Sequence, residues 1–273
     1  MAGGVSRPGE TVTQRVLAIL AVFETRLRPL SLTEIATETD LALSTTHRLV
    51  GELEEWGAVQ RDAQGRYQIG IRLWELGQHA GRQMREIARP LLQDLYSLTQ
   101  ETVHIAVREQ TDVLYIDRVY GTRRVPRASR VGGRLPLRVT AVGRVILAYE
   151  EDWVRDAVLA QPPEPGAARA PADPAELRAE LQRVRARGFA VTREEVRAGA
   201  ISIAVPIFQS DGAIGAALGL VTTPDRAAVI EQHLPAMRGI ARRIQSSLGP
   251  FSFTALRENR AGAVEVTSAQ QKA

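Results

Sequence analysis

The sequence predicts an α+β chain in two parts, an N-terminal winged helix-turn-helix and a larger domain built on an antiparallel sheet, joined by a linker helix. Three observations predict it. Apolar residues between 16 and 53 recur at helical spacing in three short blocks. Residues 58–69 then alternate like the two strands of a hairpin. Beyond residue 103, β-rich runs interleave with helical ones, and at 273 residues the chain exceeds the usual size of one domain.

Taken in order, Val16, Ile19, Leu20 and Phe23 fall at i, i+3, i+4 and i+7, one buried stripe of a first helix. Ser31-Leu32-Thr33-Glu34 reads as a capping box, with Leu30 and Ile35 flanking it as a hydrophobic staple. The helix it starts runs to about Thr39. Asp40-Leu41-Ala42-Leu43 has the length of a tight interhelical turn, and Ser44 is expected to cap the third helix. On that helix Leu49, Val50 and Leu53 form the apolar stripe, which leaves Ser44, Thr45, His47 and Arg48 outward at its N-terminal end. Glu52, Glu54 and Glu55 gather at the far end. After Gly57 a hairpin wing turns around Gly65 and carries Arg61 and Arg66.

Leu73, Leu76 and Ala80 continue as the linker helix, and Pro90 suits the first turn of a further helix with Leu91, Leu92, Leu95 and Leu98 inward. Strands follow over 103–108 and 113–119, helices over 141–149 and 152–159, and a Pro/Ala-rich loop over 162–174. A surface helix over 175–187, strands over 189–192, 201–208 and 213–221, and a final helix over 225–247 complete the pattern. The domain plan is a flexible arm over 1–10, the winged segment over 11–71, the linker helix over 72–88, the larger domain over 89–250 and a disordered tail over 251–273.

Composition excludes several classes of protein. Without cysteine the chain has no disulfide framework, no thiolate metal site and no cysteine nucleophile. No apolar run approaches the ~18 residues that would span a bilayer. Residues 16–23 lie between Glu10 and Glu24 with no cationic start, so they read as a cytoplasmic helix and not a signal peptide. Of 35 basic residues only Lys272 is a lysine, and residues 1–90 hold eleven Arg against eleven Asp or Glu. Net charge therefore cannot argue for nucleic acid; only the placement of particular side chains can.

That placement is suggestive. Short hydroxyls and a helix N-terminus suit phosphates, and Arg48 and His47 can reach base edges in a major groove. Arg61 and Arg66 on the wing suit backbone phosphate. One such unit covers only a half-site, so a homodimer on an imperfectly palindromic double-stranded operator is expected, with half-sites about 34 Å apart or a multiple of that. The competing reading is a sensory or scaffold module whose winged domain binds protein.

Several longer motifs carry a resemblance. Leu43-Ser44-Thr45-Thr46-His47-Arg48-Leu49, Glu54-Glu55-Trp56-Gly57-Ala58-Val59, and Arg66-Tyr67-Gln68-Ile69-Gly70-Ile71-Arg72-Leu73 resemble the DNA-binding domain of IclR-type bacterial transcription regulators. Tyr115-Ile116-Asp117-Arg118-Val119, the run Leu135-Pro136-Leu137-Arg138-Val139-Thr140-Ala141-Val142-Gly143-Arg144, Arg185-Ala186-Arg187-Gly188-Phe189 and Ala204-Val205-Pro206-Ile207 extend it over roughly residues 12–248. The resemblance implies a GAF-like effector domain, dimerisation mainly through the N-terminal domain and linker helix, and often a dimer of dimers. It implies a regulator, a repressor more than an activator, whose DNA affinity is set by a small metabolite such as an organic or aromatic acid. It also implies an effector cup at Thr140, Ala141, Val142, Gly143, Glu195, Ser202, Ile203 and Gly219, with Arg138 beside it as a further effector-binding candidate. The sequence departs from the family pattern with Arg138 where His is usual, Arg144 where Lys is usual, Ser202 where Cys is common and Gly219 where Ser is common.

Other chemistry finds little support. No serine sits in a Gly-x-Ser-x-Gly elbow, so an enzyme is not expected. His47, His79, His104 and His233 are scattered, with none at metal-ligand spacing; neither metal nor cofactor is expected, and His104 reads as a satisfied core residue. Arg123, Arg124, Arg127, Arg130, Arg134 and Arg138 place six cations within sixteen residues. Alternation on strands sends neighbours to opposite faces, and only Arg138 is read as lying beside the cup.

Overall fold

The computed structural model describes residues 10–26, 28–79, 82–121, 130–162, 171 and 173–248. The N-terminal arm, the C-terminal tail, Arg123, Arg124, Arg127 and most of the Pro/Ala-rich loop lie outside the described residues. The chain divides into two compact units, residues 1–80 and 81–273.

In the first unit, α1 (Val12–Thr25) opens on a capping box that apolar periodicity did not disclose. Thr11 Oγ1 accepts from the Gln14 amide at 3.2 Å while Gln14 Oε1 accepts from the Thr11 amide at 2.8 Å. α2 (Leu32–Thr39) starts at the expected Ser31/Glu34 box, with reciprocal bonds of 3.2 and 2.8 Å. Ser44 does not cap α3 (Leu43–Trp56). Ala42 holds the cap position, because Thr46 closes onto the Ala42 carbonyl through both its amide (2.9 Å) and its hydroxyl (3.1 Å), and Ser44 falls inside the first turn. Ile19, Leu30, Ile35, Leu49 and Val50 are fully buried between the three helices. At roughly 1.5–3 kcal/mol for each buried aliphatic side chain, this packing and not helix propensity holds such short helices. β1 (Val59–Arg61) and β2 (Tyr67–Ile69) pair antiparallel, Val59 opposite Ile69. The Asp62 carboxylate closes their turn by accepting the Gln64 and Arg66 amides, both at 2.9 Å. Leu30 ties to Tyr67 by bonds of 2.8 and 2.7 Å, which anchors the wing to the helices.

The linker segment is described as α4 (Ile71–His79) and the start of α5 (Arg82–Thr99). Met84 and Ala88, expected to lie in the linker, already belong to the core of the second unit. Pro90 sits inside α5 and not in its first turn. The helix tolerates it because Pro90 and Glu86, whose carbonyl it leaves unbonded, both face solvent. Leu91, Leu92 and Leu95 point inward, but Leu98 is 71% exposed. Thr99 takes the inward position instead, its hydroxyl donating to the Leu95 carbonyl at 2.8 Å.

The second unit is built on an antiparallel sheet of β3 (Thr102–Glu109), β4 (Asp112–Val119), β5 (Arg134–Pro136), β6 (Ala190–Arg193), β7 (Ile201–Phe208) and β8 (Ile214–Thr222), in the order β5-β4-β3-β8-β7-β6. β5 was not anticipated. Its Pro136 is compatible with a strand because β5 lies at the sheet edge. α6 (Ala141–Tyr149), α7 (Asp152–Leu159) and α8 (Pro174–Arg187) cover one face. α5 and α9 (Leu234–Leu248) cover the other. The expected final helix begins as a 3-10 helix, Pro224–His233, and becomes α-helical only at Leu234. Pro235 explains the break, since without an N–H it fits only the first turn of a regular helix. None of the described helices is long and apolar enough to cross a membrane.

Candidate nucleic-acid interface and ligand cavity

On α3, Ser44, His47 and Arg48 are exposed and Thr45 is half-buried. The far-end carboxylates are not idle. Glu52 accepts from Arg48 at 2.6 Å and Glu54 from Arg61 at 3.1 Å, while the guanidinium of Arg61 also stacks 4.8 Å over the Tyr67 ring. Arg66 pairs with Asp62 at 2.9 Å. Every arginine singled out for DNA thus has a carboxylate partner while its own guanidinium stays exposed, and an exposed pair such as Arg48–Glu52 contributes at most about 1 kcal/mol and can be exchanged for phosphate.

In the second unit, strand alternation divides the sheet residues between two faces. Val103, Ile105 and Val107 of β3 with Ile201, Ile203, Val205 and Ile207 of β7 pack toward α5 and α9. Ala106 and Ala204 turn toward α6. On that second face a recess is lined by His104, Tyr115, Leu135, Thr140, Ala141, Val142, Thr192, Glu195, Val196, Ala200, Ser202 and Val221. It holds about 430 Å³ of space unfilled by atoms, mouth included, of which about 30 Å³ is free for the centre of a water molecule.

Of the anticipated cup residues, Thr140, Ala141, Val142, Glu195 and Ser202 meet there. The start of α6 is a built feature. Thr140 Oγ1 accepts the Gly143 amide at 3.0 Å, so the amides of Ala141 and Val142 keep no acceptor within the helix and carry its positive end toward the recess. Gly143 itself is packed against the Leu137 carbonyl and does not line the space. Ile203 points to the opposite face. Arg138 is 1% exposed but directed elsewhere: it donates to the Gln161 carbonyl at 2.9 Å and the Pro171 carbonyl at 3.1 Å. Arg134 is exposed and paired with Glu109 at 2.5 Å.

Glu195 is held by a two-pronged pair with Arg144, Nη1 to Oε1 at 3.0 Å and Nη2 to Oε2, while Arg144 Nε donates to the Arg138 carbonyl at 3.0 Å. Burial raises the Glu195 carboxyl above its usual range despite the opposing pull of Arg144. Gly219 does not border the recess; it lies under the His104 ring, where an added Cβ would stand 2.3 Å from Nε2. His104 was expected to be a satisfied core residue, but it lines the recess and its Nδ1 has no hydrogen-bond partner. Burial first, and Arg118 second, push its pKa down to about 3. The Tyr115 ring meets it edge-on at 5.1 Å, and burial raises the Tyr115 phenol. Sequence reasoning missed both residues. The histidine on an apolar strand was the only available signal.

The geometry can be set beside known proteins. Residues 79–246 match the family model described as the bacterial transcriptional regulator IclR C-terminal, and residues 12–63 match the IclR helix-turn-helix domain. The HTH-type transcriptional regulator XynR of Escherichia coli is 30% identical over 222 residues, 78% of this chain and 86% of that protein. The glycerol operon regulatory protein of Streptomyces coelicolor is 30% identical over 247 residues, 88% of this chain and 97% of that protein. Among solved structures, an IclR homolog from Microbacterium hydrocarbonoxydans complexed with 4-hydroxybenzoate is similar with a TM-score of 0.82 and 30% identity, covering 87% of this chain and 99% of that one. The IclR of Thermotoga maritima is similar with a TM-score of 0.72 and 30% identity, covering 87% and 98%. A helix-turn-helix in the first unit, a recess in the α+β second unit, and family matches across both make this chain a member of the IclR family of bacterial transcription regulators, proteins that bind DNA and small-molecule effectors and are not enzymes.

Proposed function

We propose that the chain is a cytoplasmic, dimeric repressor whose affinity for a palindromic operator is set by a small organic or aromatic acid bound in the recess of the second unit. The observation that carries this reading is the start of α6 at the recess, where Thr140, Ala141 and Val142 line the space together with hydroxyl and apolar side chains. The homolog complexed with 4-hydroxybenzoate supports an aromatic acid as the first candidate. Exposed Trp74 and Leu76 on α4 and Leu17 on α1 leave apolar surface on the first unit and support pairing through that unit. Thr140, Ala141, Val142, Glu195 and Ser202 contact the effector. Gly143 shapes the helix start, Gly219 seats His104, and Arg138 fixes the chain around Gln161 and Pro171.

A space of this size admits an aromatic ring only if the lining parts, so binding must favour a more open arrangement of α6 and the sheet. The test is a thermal-shift and calorimetric panel of benzoate, its three hydroxy isomers, propanoate, lactate and pyruvate, followed by mobility shifts on the DNA upstream of the gene. A genuine effector raises the melting temperature and changes DNA affinity. Val142→Trp fills the recess and removes both effects. A panel without binders, or binding that survives Val142→Trp, overturns the reading.

A further inference from the structure

His104 brings unmet hydrogen-bonding capacity to the recess. It is 3% exposed, and its Nδ1 is fully enclosed with no hydrogen-bond partner among the described residues. Cross-strand neighbours set it in a row with Arg118, Gly219 and Ala204. Its ring is seated by shape, over Gly219 and edge-on to Tyr115. Buried polar groups normally find partners, because leaving one unmade is costly. A neutral imidazole offers one donor and one acceptor nitrogen. A carboxylate can only accept, whereas a hydroxyl donates and accepts and therefore satisfies the ring in either tautomer.

We propose that His104 is a specificity-determining residue of the recess and selects effectors that carry a hydroxyl, which hydrogen-bonds the imidazole while the acid group meets the start of α6. This rests on the reading that the recess takes a small acid. Gly219 is a positioning residue in the same device: only a residue without a side chain leaves room for the ring.

The experiment is calorimetry on the full chain with matched pairs, each hydroxybenzoate against benzoate and lactate against propanoate. Wild type is expected to prefer at least one hydroxylated member by roughly tenfold, the scale of one neutral hydrogen bond. His104→Phe brings that ratio close to one, His104→Gln retains part of it, and Gly219→Ser, which displaces the ring, lowers it without touching the histidine. The ratio is insensitive to a general loss of affinity, and Gly219→Ser gives the answer if His104→Phe does not fold. No preference in wild type, or a preference that persists in both His104→Phe and Gly219→Ser, overturns the proposal. If ligands bind wild type, are lost in Val142→Trp, and keep their hydroxyl preference without His104, only this proposal falls. If nothing in the panel binds, the reading of the recess falls with it.

Discussion

Arg48 and Arg66 are both exposed and both paired with a carboxylate, yet their positions give them different tasks. Arg48, on the outward face of α3, can reach base edges, so Arg48→Ala should weaken specific binding more than nonspecific binding. Arg66, on the wing, suits phosphate; Arg66→Ala should weaken all sequences alike and reduce the salt slope of log affinity by about 1. Titrations on operator and random duplex at several salt concentrations separate the two, and equal losses in both mutants would count against placing α3 in the groove. His104 makes a different prediction. Its folded pKa of about 3 lies below the ordinary 6.5, so the unfolded chain takes up a proton that the folded chain refuses. Stability on this account is complete above pH 6.5 and is lost as pH falls toward 3. Urea melts of His104→Phe and wild type should diverge in the variant's favour by about 1.4 kcal/mol per pH unit within that window. Thr140, Ala141, Val142, Glu195 and Ser202 were legible from family motifs, but His104 and Tyr115 were not. β3 is buried on both faces over its first six residues, so no alternation marks the face that holds a cavity.

At the scale of elements, α4 is the segment between the reading helices and the sensing unit. Two glycines inserted after Gly77 should leave effector binding intact and weaken its influence on DNA, measured by calorimetry beside mobility shifts; a full response in the insertion mutant would exclude α4 as the carrier. The elements that could be read in advance had a complete local signature. α2 has a Ser/Glu capping box, and the helices expected over 141–149 and 152–159 have the bounds of α6 and α7. Prolines and short pairings were among the failures. Pro90 was read as a helix start because local sequence does not show that solvent can satisfy the Glu86 carbonyl. β5 was missed because three residues cannot establish a period, and their strand character comes from pairing with β4.

For the whole molecule, effector and DNA occupy separate units, so either can act on the other only by favouring one arrangement of the assembly. Such coupling is typically ~1–3 kcal/mol, or about 5- to 150-fold, and saturating operator must change effector affinity by the same factor as effector changes operator affinity. Footprinting should reveal two related half-sites about 34 Å apart or a multiple of that; protection of one asymmetric half-site by a monomer contradicts the dimer. The paired arginines of α3 and the wing have a further effect on the scale of a chromosome. Random sequence offers phosphate but no base contacts, and on the proposed docking phosphate has to displace Glu52, Glu54 and Asp62 from partners they already hold. A genome presents about 10⁶–10⁹ such decoy sites, and a strongly cationic reader is mostly absorbed by them. With eleven arginines balanced by eleven acids over residues 1–90, this reader is expected to hold random sequence weakly. More of its copies should then stay free of bulk chromosomal DNA, and titrating that DNA against an operator complex measures how many.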